Sequence, residues 1–257
     1  MDETDVMNGQ KKDTWFEKNK FCMVTDLPFR DCDARQHPKV STWLGWLAEI
    51  AGYDYSARGL PRDMLLSKGQ VFLLSRIQYK IERAPVTYDR LTVRTWERGT
   101  EAIWFLRDFE FLDSSGRLLA SASTVWLLCD ATTHRILRPS ALEHQVGHSD
   151  ERLPCATAVQ LSAPDNMPPL GERIVVYSDL DANGHLYSAK YGDIFMDFLP
   201  ESLQTADYET FLINYVKEGK SGEKLRLYGL SQGNGFIMKA LHEDDSVCFT
   251  AQMKFAQ

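Results

Sequence analysis

The chain states one pattern twice. Asp33-Ala34-Arg35-Gln36-His37 and Asp181-Ala182-Asn183-Gly184-His185 both read D-A-x-x-H. Each is followed by a stretch of helical spacing and then by strand-like runs, the mark of an internal duplication. In the first copy residues 20–25 read as a strand. Val40, Trp43, Leu44, Leu47 and Ala51 then give one apolar helix face from about Val40 to Arg58, between Pro38 and the Gly59/Pro61 stop. Residues 76–82, 91–97, 103–112 and 118–129 follow as strands, and Ile77, Tyr79 and Ile81 alternate with polar neighbours. In the second copy residues 172–178 read as a strand. Tyr187, Tyr191, Ile194 and Phe198 form a helix face ended by Pro200, and strands are expected near 209–218, 223–231, 235–242 and 246–255. Asn234-Gly235 is the strongest hairpin signal.

One helix and about five strands per copy pack most economically as a curved antiparallel sheet around its helix. The expectation is an α+β chain of two such tandem domains, residues 15–137 and 172–257. The stretch 138–171, with Pro139, Pro154, Pro164, Pro168, Pro169 and Gly171, reads as a surface linker.

Composition narrows the function. A formal net charge of -7 argues against a nucleic-acid partner, which calls for a basic excess. The five cysteines are odd in number and form no CxxC pair, so neither a zinc site nor a disulfide framework is expected, and reduced thiols suit the cytoplasm. The polar, acidic opening residues are no signal peptide, and no apolar run is long enough for a membrane span. No motif calls for a cofactor or a metal.

Two motif matches fail on context. Gly229-Leu230-Ser231-Gln232-Gly233 fits G-x-S-x-G, but a hairpin follows instead of a helix, and no acid precedes the one remaining histidine, His242. Glu218-Gly219-Lys220-Ser221 lacks the first glycine of a phosphate-binding loop, since Asn214 stands there.

A further set of segments runs in order through the chain. In the first half these are Ser75-Arg76-Ile77-Gln78, Arg83-Ala84-Pro85, Asp89, Val93-Arg94-Thr95-Trp96, Leu106-Arg107-Asp108-Phe109, Ala122-Ser123-Thr124-Val125-Trp126, and Asp130 with Thr133 and Arg135. In the second they are residues 178–185 and Lys190-Tyr191. Together they resemble the acyl-acyl carrier protein (acyl-ACP) thioesterase family of plants and bacteria, over about residues 15–257. The resemblance implies two tandem hot-dog domains, the first shaping an acyl pocket and the second catalytic. It implies hydrolysis of the thioester of fatty acyl-ACP, releasing free fatty acid and ending chain elongation. It places the catalytic set on Asp181, Asn183, His185 and Glu218. Gly219 stands where plant members have Cys, so a cysteine nucleophile is not carried over.

In that chemistry Glu218 would activate water as general base or attack directly. Asn183 would position the water or Glu218, His185 would donate a hydrogen bond, and Asp181 would orient its neighbours. An extended segment would point Asp181, Asn183 and His185 to one side, just ahead of a helix whose amino end offers N–H groups. Taken alone, the same five residues read as a helix cap, and Glu218 as a solvated strand end. His37, in a copy without the Asn, reads as structural. Trp43, Leu44 and Leu47 are core residues that are also candidates to line an acyl tunnel. Acidic acyl carrier protein is the expected partner, with Arg58, Arg62, Lys68, Arg76, Arg83 and Arg90 as candidates for a docking patch. An acyl-coenzyme A thioesterase would share the chemistry, and a non-catalytic acyl-binding module would share the fold. A monomer and a homodimer both fit.

Overall fold

In a computed structural model, which describes residues 13–143, 147–149, 151 and 153–256, the chain forms a double hot dog. The first half contains β1 (Thr14–Glu17), β2 (Lys20–Asp26), α1 (Val40–Ala57), α2 (Arg62–Ser67), β3 (Gln70–Ile81), β4 (Arg90–Glu101), β5 (Trp104–Leu112) and β6 (Leu118–Asp130). The second contains β7 (Pro169–Ile174), α3 (Lys190–Asp197), α4 (Glu201–Gln204), β8 (Tyr208–Tyr215), β9 (Lys224–Gln232), β10 (Gly235–Leu241) and β11 (Val247–Phe255).

The eleven strands among the described residues join one antiparallel sheet in the order β1-β2-β4-β5-β6-β3-β8-β11-β10-β9-β7. Read inward from either edge, β2-β4-β5-β6-β3 and β7-β9-β10-β11-β8 are the same topology, with β1 added at one end. The halves meet where β3 pairs with β8, from Arg76 opposite Asn214 to Lys80 opposite Thr210. Two potential sheet edges thus satisfy each other within one chain.

The α1 face is buried at Val40, Trp43, Leu44, Leu47, Ile50 and Ala51, where Trp43 meets Tyr79 and Phe111 at ring distances of 5.7 and 5.0 Å. Asp54 lies on the same buried stripe and is answered from the sheet. Arg107 Nη1 donates to Asp54 Oδ2 at 2.7 Å and Nη2 to Glu97 Oε1 at 2.8 Å. Breaking such a buried pair costs about 3–5 kcal/mol, which ties α1 to β4 and β5 in one register. α3 crosses α1 closely: a Cβ on Gly192 would lie 2.9 Å from both the Ser41 nitrogen and Val40 Cγ1.

Several elements differ from expectation. β3 starts at Gln70 rather than Arg76, because the apolar run Val71-Phe72-Leu73-Leu74 carries no alternation to read. The strand expected at 172–178 is Pro169–Ile174, and the helix expected from Tyr187 begins at Lys190. The β9–β10 hairpin closes on Gly233-Asn234, with Gln232 opposite Gly235. Gly235 is needed one place later, where a Cβ would collide with the Met253 carbonyl. Within 138–171, Cys155, Ala158 and Met167 are buried, and Asn214 accepts from Leu161 N at 2.5 Å while donating to the Val159 carbonyl at 3.0 Å. The stretch 155–167 is therefore fastened to the sheet.

Candidate active site

Asp181 closes a turn. Its N–H donates to the His185 carbonyl at 2.8 Å, and its own carbonyl accepts from Gly184 N at 3.0 Å. Its carboxylate Oδ1 accepts the N–H groups of Asn183 at 2.8 Å and His185 at 3.2 Å. Gly184 takes φ +78, a conformation that favours glycine. The segment is thus folded on itself, not extended, because the Asp side chain replaces strand partners for two backbone donors. The amino end of α3 is not at His185 either. Leu186 N goes to the Gly219 carbonyl at 2.8 Å and Tyr187 N to the Asp179 carbonyl at 2.9 Å before the helix begins.

That Leu186–Gly219 bond, with the bridge between His185 and Lys220, lays the turn against the chain leaving β8. It brings His185 Nδ1 to 3.2 Å from Glu218 Oε2. Lys220 Nζ stands 3.8 Å from Glu218 Oε1. Both side chains of the pair stay accessible, at 28% and 31% exposure, so the imidazole and the carboxylate can reach a solvent-borne substrate.

Asn183 points elsewhere. Its Nδ2 donates to Asp181 Oδ2 at 3.2 Å, and its Oδ1 accepts from Arg62 of the first half. Asn183 also borders a groove of about 230 Å³ whose walls include Ala48, Ala51, Gly52 and Tyr55 of α1 and Phe72 of β3. The structure therefore unites His185 with Glu218, and Asp181 with Asn183, through one turn. Trp43, Leu44 and Leu47 are fully buried in the core, and the groove is walled by the adjoining stripe of α1 instead.

Two neighbours were not foreseen. Arg62 reaches Asn183 across the two halves. His134, on the turn after β6 with φ 56, sits with its ring 6.2 Å from that of His185. Neither carries a spacing signal, since both contacts join distant parts of the chain. Most of the basic residues expected to form a patch are engaged locally. Arg58 pairs with Asp54, Lys68 with Glu143, Arg83 with Asp113 and Arg90 with Asp13, while Arg76 lies 4.5 Å over the Trp104 ring.

Gly219 is buried, and a Cβ there would face Leu186 Cδ2 at 3.2 Å and Val175 Cγ2 at 3.5 Å. All five cysteines are free and buried. The thiol of Cys248, on the strand beside the site, is pushed up to about 12 by burial. That thiol offers no thiolate at neutral pH.

Comparison with known proteins points one way. The sequence profile of the acyl-ACP thioesterase N-terminal domain matches residues 18–140, and that of the C-terminal domain matches residues 170–255. The fold is similar to that of an acyl-ACP thioesterase from Bacteroides thetaiotaomicron, at 22% identity and a TM-score of 0.85, covering 93% of this chain and 98% of that one. It is also similar to a 12:0-ACP thioesterase from Umbellularia californica, at 16% identity and a TM-score of 0.77, covering 94% and 99%. A putative oleoyl thioesterase from Lactobacillus plantarum is similar at 21% identity and a TM-score of 0.74, covering 93% and 97%. No curated protein sequence matches the chain. Among the described residues no helix is long and apolar enough to cross a membrane.

Proposed function

The chain belongs to the acyl-ACP thioesterase family, thioester hydrolases that free a fatty acid from acyl carrier protein, and within that activity we propose that Glu218 and His185 are the reacting pair. The observation that carries this is the 3.2 Å approach of His185 Nδ1 to Glu218 Oε2. His185 donates Nδ1–H to one carboxylate oxygen and fixes its orientation. The other oxygen takes a proton from water, and the hydroxide adds to the thioester carbon. Collapse of the tetrahedral intermediate breaks the carbon–sulfur bond, and the proton held on Glu218 returns to the departing thiolate. Lys220, beside Glu218, adds positive charge where the oxyanion forms.

Asp181 acts by holding the turn, and Asn183 by contacting the substrate once it leaves Arg62. The acyl chain lies in the groove beside Asn183. Arg62, which lines the groove, and Lys220, beside Glu218, complement an acidic carrier protein. A cytoplasmic location is the reading supported by five free, buried cysteines, which suit a reducing compartment. The β3–β8 seam joins the two halves inside one chain, which supports the monomer reading over the homodimer.

Glu218→Gln keeps the shape of the side chain and removes the base. The expected result is a loss of at least about 10²-fold in kcat on acyl-ACP with an unchanged melting temperature. Turnover near that of the unaltered enzyme would remove Glu218 from the chemistry.

A further inference from the structure

Helix α1 contains two glycines, Gly45 and Gly52, and only one has a packing reason. A Cβ on Gly45 would lie 3.2 Å from the Tyr187 hydroxyl and 3.6 Å from Ala189 Cβ, so that glycine lets the second half approach. A Cβ on Gly52 would meet nothing within 4 Å. Its φ lies outside the left-handed region, so the backbone does not require glycine either. A glycine inside a helix destabilises it relative to alanine. Here that cost brings no close approach and no turn. What it leaves is open space at an exposed position on the rim of the groove beside Asn183.

Ala48, Ala51, Gly52 and Tyr55 stand at helical spacing on the groove wall, three small residues and then a large one. The catalytic turn rests on this helix one turn earlier, where the Tyr187 hydroxyl donates to Glu49 Oε1 at 3.2 Å. Tyr55 lies about 9 Å further along the helix axis. Its ring packs 5.0 Å from Phe72, which meets Phe105 at 5.0 Å. Its hydroxyl donates to Glu97 Oε1 at 2.8 Å, and Glu97 is held by Arg107. Moving Tyr55 aside would disturb a buried ion network, so it forms a fixed wall.

We infer that Gly52 and Tyr55 set the acyl-chain length this enzyme accepts: Gly52 keeps the groove open past the catalytic turn, and Tyr55 ends it. This rests on the assignment of the groove to the acyl chain. Each buried methylene is worth about fourfold in binding, so a side chain that fills the space of three or four removes roughly a hundredfold for substrates long enough to need it.

The test is kcat/KM over a ladder of saturated acyl-ACPs of medium to long chain, for the unaltered enzyme, Gly52→Leu and Tyr55→Ala. Gly52→Leu has open space for its side chain and a residue of good helix propensity, so it keeps the fold even if Tyr55→Ala does not. The expected result for Gly52→Leu is a roughly hundredfold fall for the longest accepted chains and a change within about threefold for the shortest. Folded Tyr55→Ala should move the optimum to longer chains. An unchanged length profile in Gly52→Leu, or an equal loss at every length with an unchanged melting temperature, overturns the inference while the hydrolase reading stands. Absence of acyl-ACP turnover by the unaltered enzyme would sink that reading and the inference with it.

Discussion

The turns at Asp33–His37 and Asp181–His185 are built alike and do different things. In the first, Asp33 N donates to the His37 carbonyl at 2.8 Å and Gln36 N to the Asp33 carbonyl at 3.0 Å, as Asp181 N and Gly184 N do in the second. Asp33 Oδ1 accepts Arg35 N at 2.9 Å and His37 N at 3.1 Å, again matching its counterpart. The difference lies in what each turn faces. His37 Nδ1 meets the Pro85 carbonyl at 3.0 Å; a carbonyl only accepts, so Nδ1 is the donor there, and among the described residues no carboxylate pairs with that ring. His185 meets Glu218. Where Asn183 borders an apolar groove, Arg35 donates to Asp33, Asp207 and the Thr205 and Ala206 carbonyls. It sits at a cavity of about 430 Å³ lined by charged residues, among them Arg173, Asp193 and Asp197. A duplicated backbone therefore fixes where a histidine can stand, and the residue opposite decides whether it can react.

The sharpest break of this comparison is to remove each histidine. His185→Ala should lose on the order of 10²–10⁴ in kcat. His37→Ala should stay within about twofold in kcat and lose about 1 kcal/mol of stability with its hydrogen bond. Steady-state hydrolysis of acyl-ACP and thermal melting read both. Equal losses of kcat would mean that the first turn also takes part in the reaction.

How much of this was legible depends on the range of the interaction. The duplication, α1 and most strands were readable because Val40 to Ala51, or Ile77 to Ile81, report their own burial through local periodicity. The start of β3 was not, because Val71 to Leu74 are all apolar. A candidate catalytic set could be carried over from motif resemblance, but its geometry could not. A carboxylate that satisfies two nearby N–H groups outcompetes an extended conformation, so Asp181 builds a turn and not a row of three aligned side chains. The Arg62–Asn183 bond, the His134 ring and the β3–β8 seam join residues far apart in the chain, and no periodicity encodes such pairs.

The matched aspartates give a smaller contrast. Asp33→Ala and Asp181→Ala each strip two backbone donors of their acceptor and should each cost about 1–2 kcal/mol. Only Asp181→Ala should also slow turnover, by about tenfold, because a loosened turn displaces His185 from Glu218. Melting curves beside kcat separate the two effects. A fully stable Asp181→Ala variant without activity would show that the carboxylate acts in the chemistry and not through the turn.

The smallest effect is expected where this chain departs from its plant relatives. On an extended segment neighbouring side chains point to opposite sides. With Glu218 turned to His185, position 219 faces Leu186 and Val175. Gly219→Cys would place its thiol in that packed contact, at a cost of about 1 kcal/mol for crowding, and give it no base. The variant should keep kcat within about threefold, with water still the nucleophile. Iodoacetamide should inhibit it no more than it inhibits the unaltered enzyme, whose thiols are all buried. Combining Gly219→Cys with Glu218→Gln should restore nothing. Hydrolysis that returns in the double variant and is abolished by alkylation would show that a thiol at this position reaches the thioester, and that the difference between plant members and this chain is one of nucleophile after all.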